Sequence, residues 1–123
     1  MVTVMPEKQF KIPAAEIKPL AEGRGACYAT DLITVEGQKV GYMYREKPDS
    51  LEDSGWRFFS GKESQDYLEN PSHTAIYDVN TIANYDSGII PLLDLPVGSA
   101  FERRGWFGKF VAVAFEPPDE DKA

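Results

Sequence analysis

Residues 39–59 read KVGYMYREKPDSLEDSGWRFF, and this stretch decides the fold class that the sequence predicts. Its first part alternates, because Val40, Tyr42 and Tyr44 fall on one face of an extended chain. A polar loop rich in turn-forming residues follows, and residues 56–59 return to residue types that favour strands. The stretch therefore predicts two strands with a loop between them.

On the N-terminal side, the sequence predicts a β-hairpin and, before it, a separate arm. Residues 32–35 and 39–45 are apolar runs separated by the turn signal Glu-Gly-Gln at residues 36–38, which favours a hairpin. Three prolines fragment residues 1–24, which we expect to form an N-terminal arm. The single globular domain would then span residues 25–116.

On the C-terminal side, short helices and strands are predicted in alternation. Ser60 stands three residues before Glu63, a capping-box pattern that predicts a helix over residues 61–69. Residues 74–79 alternate like a strand, and Asn80 is placed to cap a second short helix.

The last two predicted strands, residues 99–104 and 109–115, are joined by a glycine-flanked tip that contains Trp106 and Phe107. Because residues 109–115 (KFVAVAF) are apolar on both faces, we expect a central strand or one covered by a helix. The two aromatic residues at the tip are either folded back onto the core or offered to a partner. Residues 117–123 are expected to be a flexible acidic tail.

Many short strands with two or three short helices, and no strand–helix–strand rhythm, predict an α+β fold. The sheet should be strongly twisted and mainly antiparallel, and it could curl toward a barrel. No internal repeat and no second domain are visible in the 123 residues.

Composition limits the classes of partner and the compartment. The lone cysteine, Cys27, excludes an internal disulfide, and the longest apolar runs fall far below the ~20 residues of a membrane span. We therefore expect a cytoplasmic protein. A net charge of −7 repels nucleic acids and anionic membranes and attracts a basic partner. The alternative interpretation is that the negative charge only maintains solubility.

Catalytic and cofactor motifs are missing from the sequence. It has neither the glycine-rich nucleotide motifs nor a Gly-x-Ser-x-Gly elbow, and one cysteine with one histidine cannot supply a usual zinc site. We predict no enzyme, no cofactor and no metal. An aspartate-based hydrolase is the alternative, and it requires Asp31, Asp53, Asp78 and Asp86 to converge rather than each to cap a helix or turn.

The loop from Asp53 to Arg57 is the most informative local feature for binding. Tryptophan and arginine, here Trp56 and Arg57, are enriched at binding hot spots, and Arg45 could pair with an acid such as Asp53. Two interpretations stay open. Either Trp56 is a core residue above a loop held by an arginine–carboxylate bond, or the loop forms a binding surface.

Three strings resemble a known bacterial family: ACYATD (residues 26–31), VGYMYREKPDSLEDSGWRFFSG (40–61) and YDVNTIANYDSGIIPLLDLPVGSAFER (77–103). The family is domain-of-unknown-function family 2185, which is also described as immunity protein family 33. The resemblance covers about residues 25–115. It implies a protein that binds and blocks a toxin made by its own cell, and it brings no established catalytic residues.

With the resemblance, the partner is expected to be a cognate protein toxin with a basic surface. Residues 62–101 carry one basic and six acidic residues, so an acidic face could form from Glu63, Asp66, Glu69, Asp78 and Asp86. An exposed edge strand or the aromatic tip could also pair two copies into a homodimer. The alternative function is a regulatory or accessory module that binds a small ligand or another cellular protein.

The residues expected to lie on or to support the partner-binding surface come from the tryptophan loop, the NTIANYD segment and the acidic helix. They are Arg45, Asp53, Trp56, Arg57, Asn84, Tyr85, Asp86, Asp66 and Glu69.

Overall fold

A computed structural model describes residues 8–104 and 108–115 of the chain. The strands are β1 Ala26–Thr30, β2 Tyr42–Arg45, β3 Asp53–Phe59, β4 Thr74–Asp78, β5 Ala100–Arg104 and β6 Lys109–Ala112. The α-helices are α1 Asp31–Thr34, α2 Gln65–Glu69 and α3 Val79–Tyr85, and 3-10 turns lie at Ala14–Glu16, Pro71–His73 and Ser87–Leu92.

The six strands form one sheet in the order β4-β1-β3-β2-β5-β6. Only β1 and β3 run parallel, and every other neighbouring pair is antiparallel. The prediction of an α+β fold with a mainly antiparallel sheet is therefore confirmed. The barrel-like closure is wrong, because β4 and β6 end the sheet at opposite edges and do not pair with each other.

The hydrophobic core lies between one face of the sheet and the helices α1 and α3. Trp56 and Phe58 point from β3 into this core and stack with their ring centroids 6.1 Å apart. Ile33 of α1 and Ile82 of α3 are fully buried against them. The long apolar side chains of a seven-residue strand therefore anchor two helices that are too short to be stable alone.

A bulge in β3 shifts the register of the parallel pair, from Ala26 opposite Asp53 to Tyr28 opposite Arg57. At its centre Gly55 has a φ of +89°, and a Cβ there would lie 2.2 Å from the Glu46 carbonyl oxygen. Only glycine fits both the dihedral and the close approach. The strand consequently starts at Asp53, three residues before the predicted start.

The predicted hairpin at residues 32–45 is wrong. Residues 31–34 form α1, and Gly37 follows with a φ of +80° and donates its N–H to the Ile33 carbonyl. A four-residue apolar run fits a helical turn as well as a strand, so its pattern could not separate the two. The strand that pairs with β2 is β3, across the long polar loop.

The predicted caps are displaced by a few residues. Helix α2 begins at Gln65, where the Ser64 hydroxyl accepts the Tyr67 N–H at 3.0 Å. The Ser60–Glu63 pattern closes a turn instead, since the Glu63 carboxylate accepts the Ser60 N–H at 2.8 Å. Helix α3 is capped by Asp78 rather than by Asn80.

Strand β6 is not central. It pairs with β5 on one side and forms the edge of the sheet, with Val111 37% exposed. An apolar pattern on both faces shows that a strand is able to be buried. It does not show that another strand or helix of the chain packs against it. The predictions for Trp106, Phe107 and the tail at 117–123 lie outside the described residues.

Residues 8–24 pack on α3 through side-chain hydrogen bonds. The Asn80 amide oxygen accepts the N–H groups of Leu20 and Ala21, each at 2.7 Å, and its amide nitrogen donates to the Lys18 carbonyl. Ala21 is 5% exposed. The division into an arm at 1–24 and a domain at 25–116 stays a prediction.

Candidate functional site

The sheet face opposite α1 and α3 is lined with aromatic side chains. We call it the open face and define it by Tyr28, Tyr42, Tyr44, Arg57 and Phe59, which alternate with the core residues of β1, β2 and β3. Tyr42 lies opposite Phe59, with ring centroids 5.9 Å apart, and Tyr44 stacks on Phe59 at 5.8 Å. Such a surface offers large apolar area together with hydroxyl groups, which suits protein recognition.

Arg57 is a buried ion-pair centre in the middle of the open face. Its side chain is 3% exposed, and its two terminal nitrogens bind both carboxylate oxygens of Asp53 at 2.9 and 2.8 Å. The Nε atom donates to Glu46 at 2.5 Å, and the guanidinium carbon lies 4.3 Å from the Tyr28 ring centroid. The planar guanidinium thus connects β3 to Tyr28 of β1 and to Glu46, which directly follows β2.

Charge pairing fixes the ionisation of this centre. The hydrogen bonds from the Arg57 side chain hold the pKa of Asp53 well below its usual range, and backbone N–H groups of Asp49 and Gly55 add to this effect. Burial disfavours the charged guanidinium, but the bonds to Asp53 and Glu46 outweigh this cost and raise the pKa of Arg57. The loop before β3 is therefore held in one arrangement at neutral pH.

Two cavities lie side by side along the open face. The larger has a volume of about 860 Å³, with Tyr42, Tyr44 and Phe59 among its lining residues. The smaller, of about 310 Å³, is lined by Tyr28, Arg57 and others. Tyr44, Phe59 and Leu68 line both, so the two cavities form one groove between the sheet and the segment that carries α2.

Glu63 and charged residues of β5 border this groove. The Glu63 carboxylate accepts hydrogen bonds from the Thr30 hydroxyl and from the Ser60 and Gly61 N–H groups. Burial alone would raise the pKa of Glu63, but these bonds outweigh it, and the pKa is lowered. Glu102 and Arg104 form an ion pair on the opposite border. The groove therefore combines an apolar floor with charged edges.

The residues predicted in the tryptophan loop lie mostly inside the protein. Trp56 is 1% exposed and donates its indole N–H to the Leu93 carbonyl at 3.1 Å. Arg45 does not pair with Asp53, since its guanidinium donates to the carbonyls of Ser54 and Leu95. Trp56 and Arg57 can contribute to binding only by supporting the surface above them. The geometry matches the interpretation in which a core tryptophan packs under a loop held by an arginine–carboxylate bond.

The predicted residues of the NTIANYD segment are also engaged within the chain. Tyr85 is 6% exposed, and its hydroxyl donates to the Thr34 carbonyl at 2.8 Å. Asp86 is 5% exposed, accepts the Val40 N–H at 3.0 Å and pairs with Arg103. Asn84 holds the backbone of Lys18 through both ends of its amide.

Asp66 and Glu69 are exposed on α2, but the predicted acidic face of five residues does not form. Asp86 is buried against Arg103. Asp78 lies at the far end of β4, roughly 13 Å of strand away from the end where α2 enters. Folding leaves Glu63, Asp66 and Glu69 as the acidic group beside the groove.

Two of the four aspartates proposed for catalysis, Asp53 and Asp78, line one cavity of about 660 Å³, but all four are engaged in ion pairs or caps. Asp53 and Asp86 pair with arginines, Asp31 binds Lys8, and Asp78 caps α3. Burial also raises the pKa of the Cys27 thiol, so its nucleophilic thiolate is disfavoured. Among the described residues, no three histidine, cysteine, aspartate or glutamate side chains group closely enough to hold a metal ion.

Sequence reasoning missed the aromatic residues of the open face as a candidate surface. The alternation of Tyr42 and Tyr44 placed them on one face of a strand, but not which face the helices would cover. Phe59 joins them only because β3 pairs with β2 in the observed register.

The groove and the strands beneath it lie within a segment that matches a known protein family. The family model for the immunity protein Imm33 domain matches residues 27–114. The chain belongs to the Imm33 immunity protein family. Every open-face residue falls inside the matched segment. No curated protein and no solved structure shows significant similarity to this Imm33 chain. Within residues 8–104 and 108–115, every helix is too short or too polar to cross a bilayer.

Proposed function

We propose that this Imm33 protein neutralises a bacterial toxin by stoichiometric, non-catalytic binding, and that the open face is the surface that contacts the toxin. The observation that carries the proposal is the groove of stacked aromatic residues inside the segment matched by the family model. Aromatic side chains in a partly desolvated groove are the usual anchors of tight protein–protein contacts.

The open face is also pre-organised. Arg57, fixed by Asp53 and Glu46, lies against the Tyr28 ring, and Tyr44 stacks on Phe59 and contacts Phe115 at a tilted angle. Side chains that are already ordered lose less conformational entropy on binding, so more of the contact energy appears as affinity.

A toxin with a basic contact surface fits the carboxylates of α2, whereas the lining of the groove itself carries both basic and acidic residues, among them Lys62 and Glu63. Glu63 lies at the border of the groove, and Asp66 and Glu69 are exposed on the adjacent helix α2. These carboxylates would raise the association rate of a basic partner, and the aromatic floor would set the lifetime of the complex. Such an encounter would take place in the cytoplasm, the compartment expected from the lone cysteine.

The test is to capture the toxin and then to alter the open face. The protein is purified from its native host, or produced with the toxin of a neighbouring gene, and the bound partner is identified by mass spectrometry. Tyr42→Ala and Phe59→Ala should each weaken toxin binding by about 2 kcal/mol, or ~30-fold, and should reduce protection of cells that produce the toxin.

Phe10→Ala is the matched control, because Phe10 is an aromatic residue that is 43% exposed and contacts Tyr77 outside the groove. It should leave toxin affinity unchanged. Thermal unfolding of all three variants shows whether a loss of binding reflects a loss of the fold. Retention of full affinity by stable Tyr42→Ala and Phe59→Ala variants would refute the open face as the contact surface.

A small ligand is the second candidate for the groove. Its volume of about 860 Å³ falls within the range of ~300–1,000 Å³ that is usual for ligand sites. In this case the protein would be a regulatory or accessory module. A library of cytoplasmic metabolites, screened by thermal shift with Tyr42→Ala as the control, distinguishes the two functions. A metabolite that stabilises the unaltered chain but not the variant would favour the module.

A further inference from the structure

Strand β6 has the composition of a central strand but lies at the edge of the sheet. Residues 109–115 contain one charged residue, Lys109, and the other residues are alanine, valine or phenylalanine. Val111, Ala112 and Ala114 are nevertheless exposed. In the part of the chain that the structure describes, β6 has β5 as its only strand neighbour.

The register shows which backbone groups of β6 point outward. Val113 donates its N–H to the Ala100 carbonyl at 2.9 Å, and Val111 lies opposite Glu102. Hydrogen-bonded and non-hydrogen-bonded pairs alternate along an antiparallel ladder. The N–H and C=O groups of Val111 therefore face β5, and those of Phe110 and Ala112 face away from the sheet.

This edge lacks several of the features that prevent strand pairing, although β6 is short and begins with Lys109. Proteins protect edges with short strands, lysine, proline, bulges or inward-pointing charges. Residues 108–115 have no proline, and the ladder between β5 and β6 is regular from Arg104–Lys109 to Phe101–Ala112. The strand at the opposite edge, β4, differs from β6 because it has a polar residue at each end, Thr74 and Asp78.

We propose that two copies of this chain pair through β6, antiparallel, about a two-fold axis at Val111. In this register Phe110 of each copy lies opposite Ala112 of the other, so their outward N–H and C=O groups exchange hydrogen bonds. The large Phe110 side chain thus lies beside the small Ala112 side chain. Val111 lies opposite Val111 of the other copy, and Lys109 lies opposite Val113. The strand is thus complementary to itself.

The charges near the edge permit this pairing. The two Lys109 side chains lie opposite valines, separated along the strands by four residues, or roughly 14 Å, which exceeds the Debye length of ~8 Å at physiological salt. Self-pairing of β4 is less favourable, because residues 63–101 contain no lysine or arginine and their acids would approach each other. Pairing through β6 about a two-fold axis also gives a closed dimer, because each copy uses the same edge and no β6 edge is left to add a third copy.

Pairing through β6 keeps both open faces available. The two-fold axis of an antiparallel pair is perpendicular to the sheet, so the open faces of both copies lie on the same side of one continuous sheet. The dimer would present two grooves side by side. Val113 lines the groove as well as the paired edge, so the two surfaces adjoin. The pairing does not depend on the proposed function, because the outward N–H and C=O groups of Phe110 and Ala112 lie at the edge of the sheet.

The test compares the oligomeric state of the full chain with that of edge variants, by analytical ultracentrifugation over a wide concentration range. The unaltered chain should reach twice the mass of one chain. Val111→Lys places two ammonium groups face to face at the axis and should reduce the mass to that of one chain. Ile76→Lys is the matched control, because Ile76 is 64% exposed on β4, and it should leave the dimer intact.

Amide hydrogen exchange supplies a second readout that is independent of mass. In the dimer the Phe110 and Ala112 amides should be protected, and in Val111→Lys they should exchange rapidly. The residue 111 amide, which faces β5, should stay protected in both, and this shows that β6 is still folded.

Several results would overturn the proposal. They are a single-chain mass at all concentrations, a dimer that survives Val111→Lys, a dimer lost in Ile76→Lys, or masses that keep growing, which would indicate pairing of β6 with β4. A monomer whose toxin binding is lost in Val111→Lys would also overturn it, since the edge would then take a strand of the toxin. Loss of toxin binding in the Tyr42→Ala variant does not bear on the dimer.

Discussion

At the residue scale, Arg57 organises the candidate site although it is almost inaccessible. Its guanidinium binds Asp53 through two hydrogen bonds, binds Glu46 through a third and lies over the Tyr28 ring. The Asp53 carboxylate in turn accepts the N–H groups of Asp49 and Gly55. One charged side chain therefore sets both the loop before β3 and the centre of the open face.

The lowered pKa of Asp53 predicts acid sensitivity. An aspartate with a depressed folded-state pKa stabilises the fold above its unfolded value of about 3.9, and that stability is lost as the pH falls below it. Asp53→Asn should be less stable than the unaltered chain at pH 7 and should lose less stability on acidification. Urea unfolding at a series of pH values measures both.

Asp49→Asn is the control for this prediction. Asp49 is 72% exposed and lies 3.7 Å from Arg57, so its contribution is screened by water. The variant should follow the acid profile of the unaltered chain. If Asp53→Asn shows the same loss on acidification as the unaltered chain, the ion pair with Arg57 does not stabilise the fold.

At the element scale, the bulge at Gly55 determines which residue of β3 lies beside each residue of β1. Inserting extra residues between Asp53 and Arg57 relative to β1 brings Arg57 opposite Tyr28, on the open face, and leaves Trp56 on the core face. Because β3 advances four residues where β1 advances two, a regular strand would place Gly55 rather than Arg57 opposite Tyr28.

Gly55→Ala should therefore be strongly destabilising, by about 2–4 kcal/mol, because it combines a strained φ with a Cβ 2.2 Å from the Glu46 carbonyl oxygen. Gly23→Ala is the matched control, since Gly23 has a φ of +80° and nothing within 4 Å of a Cβ. It should cost about 1 kcal/mol. Chemical denaturation measures both, and equal costs would show that the bulge relaxes around the new side chain.

At the scale of the whole molecule, the acidic charge is distributed unevenly along the chain, since residues 62–101 carry six acidic residues and one basic residue. The exposed carboxylates Asp66 and Glu69 lie on α2 beside the groove, and Asp86, part of the predicted face, is buried. Long-range attraction of a basic toxin would thus come from α2 and its surroundings, and contact would be made by the open face.

Removing the negative charges of α2 should lower the rate at which the toxin associates without changing the lifetime of the complex. In the double variant Asp66→Asn/Glu69→Gln the association rate constant should fall several-fold and become less dependent on salt, and the dissociation rate should change little. Stopped-flow binding to the captured toxin measures both. Glu16→Gln/Glu22→Gln removes the same charge from exposed residues at the N-terminal side and is the control. Equal rates for the two double variants would contradict steering by α2.

The sequence by itself determined the α+β class, the mainly antiparallel sheet and most strand positions. These follow from short-range properties, namely the two-residue period of strands and the distribution of glycine, proline and polar residues. The resemblance of three strings to an immunity family, confirmed by the match over residues 27–114, came from the same local information.

Only the tertiary structure decided which face of each strand is covered and which strands lie at the edges. Tyr42 and Tyr44 belong to the open face because the helices pack on the other side. Trp56 is buried because its face of β3 is the covered one, and Arg57 is buried because its ion pairs hold it against Tyr28. Residues 109–115 were predicted to be central or covered by a helix, yet β6 is an edge with Val111 exposed. The period of apolar residues shows which face of a strand is able to be buried. The elements that bury it are distant in sequence, so only long-range packing decides which face is covered.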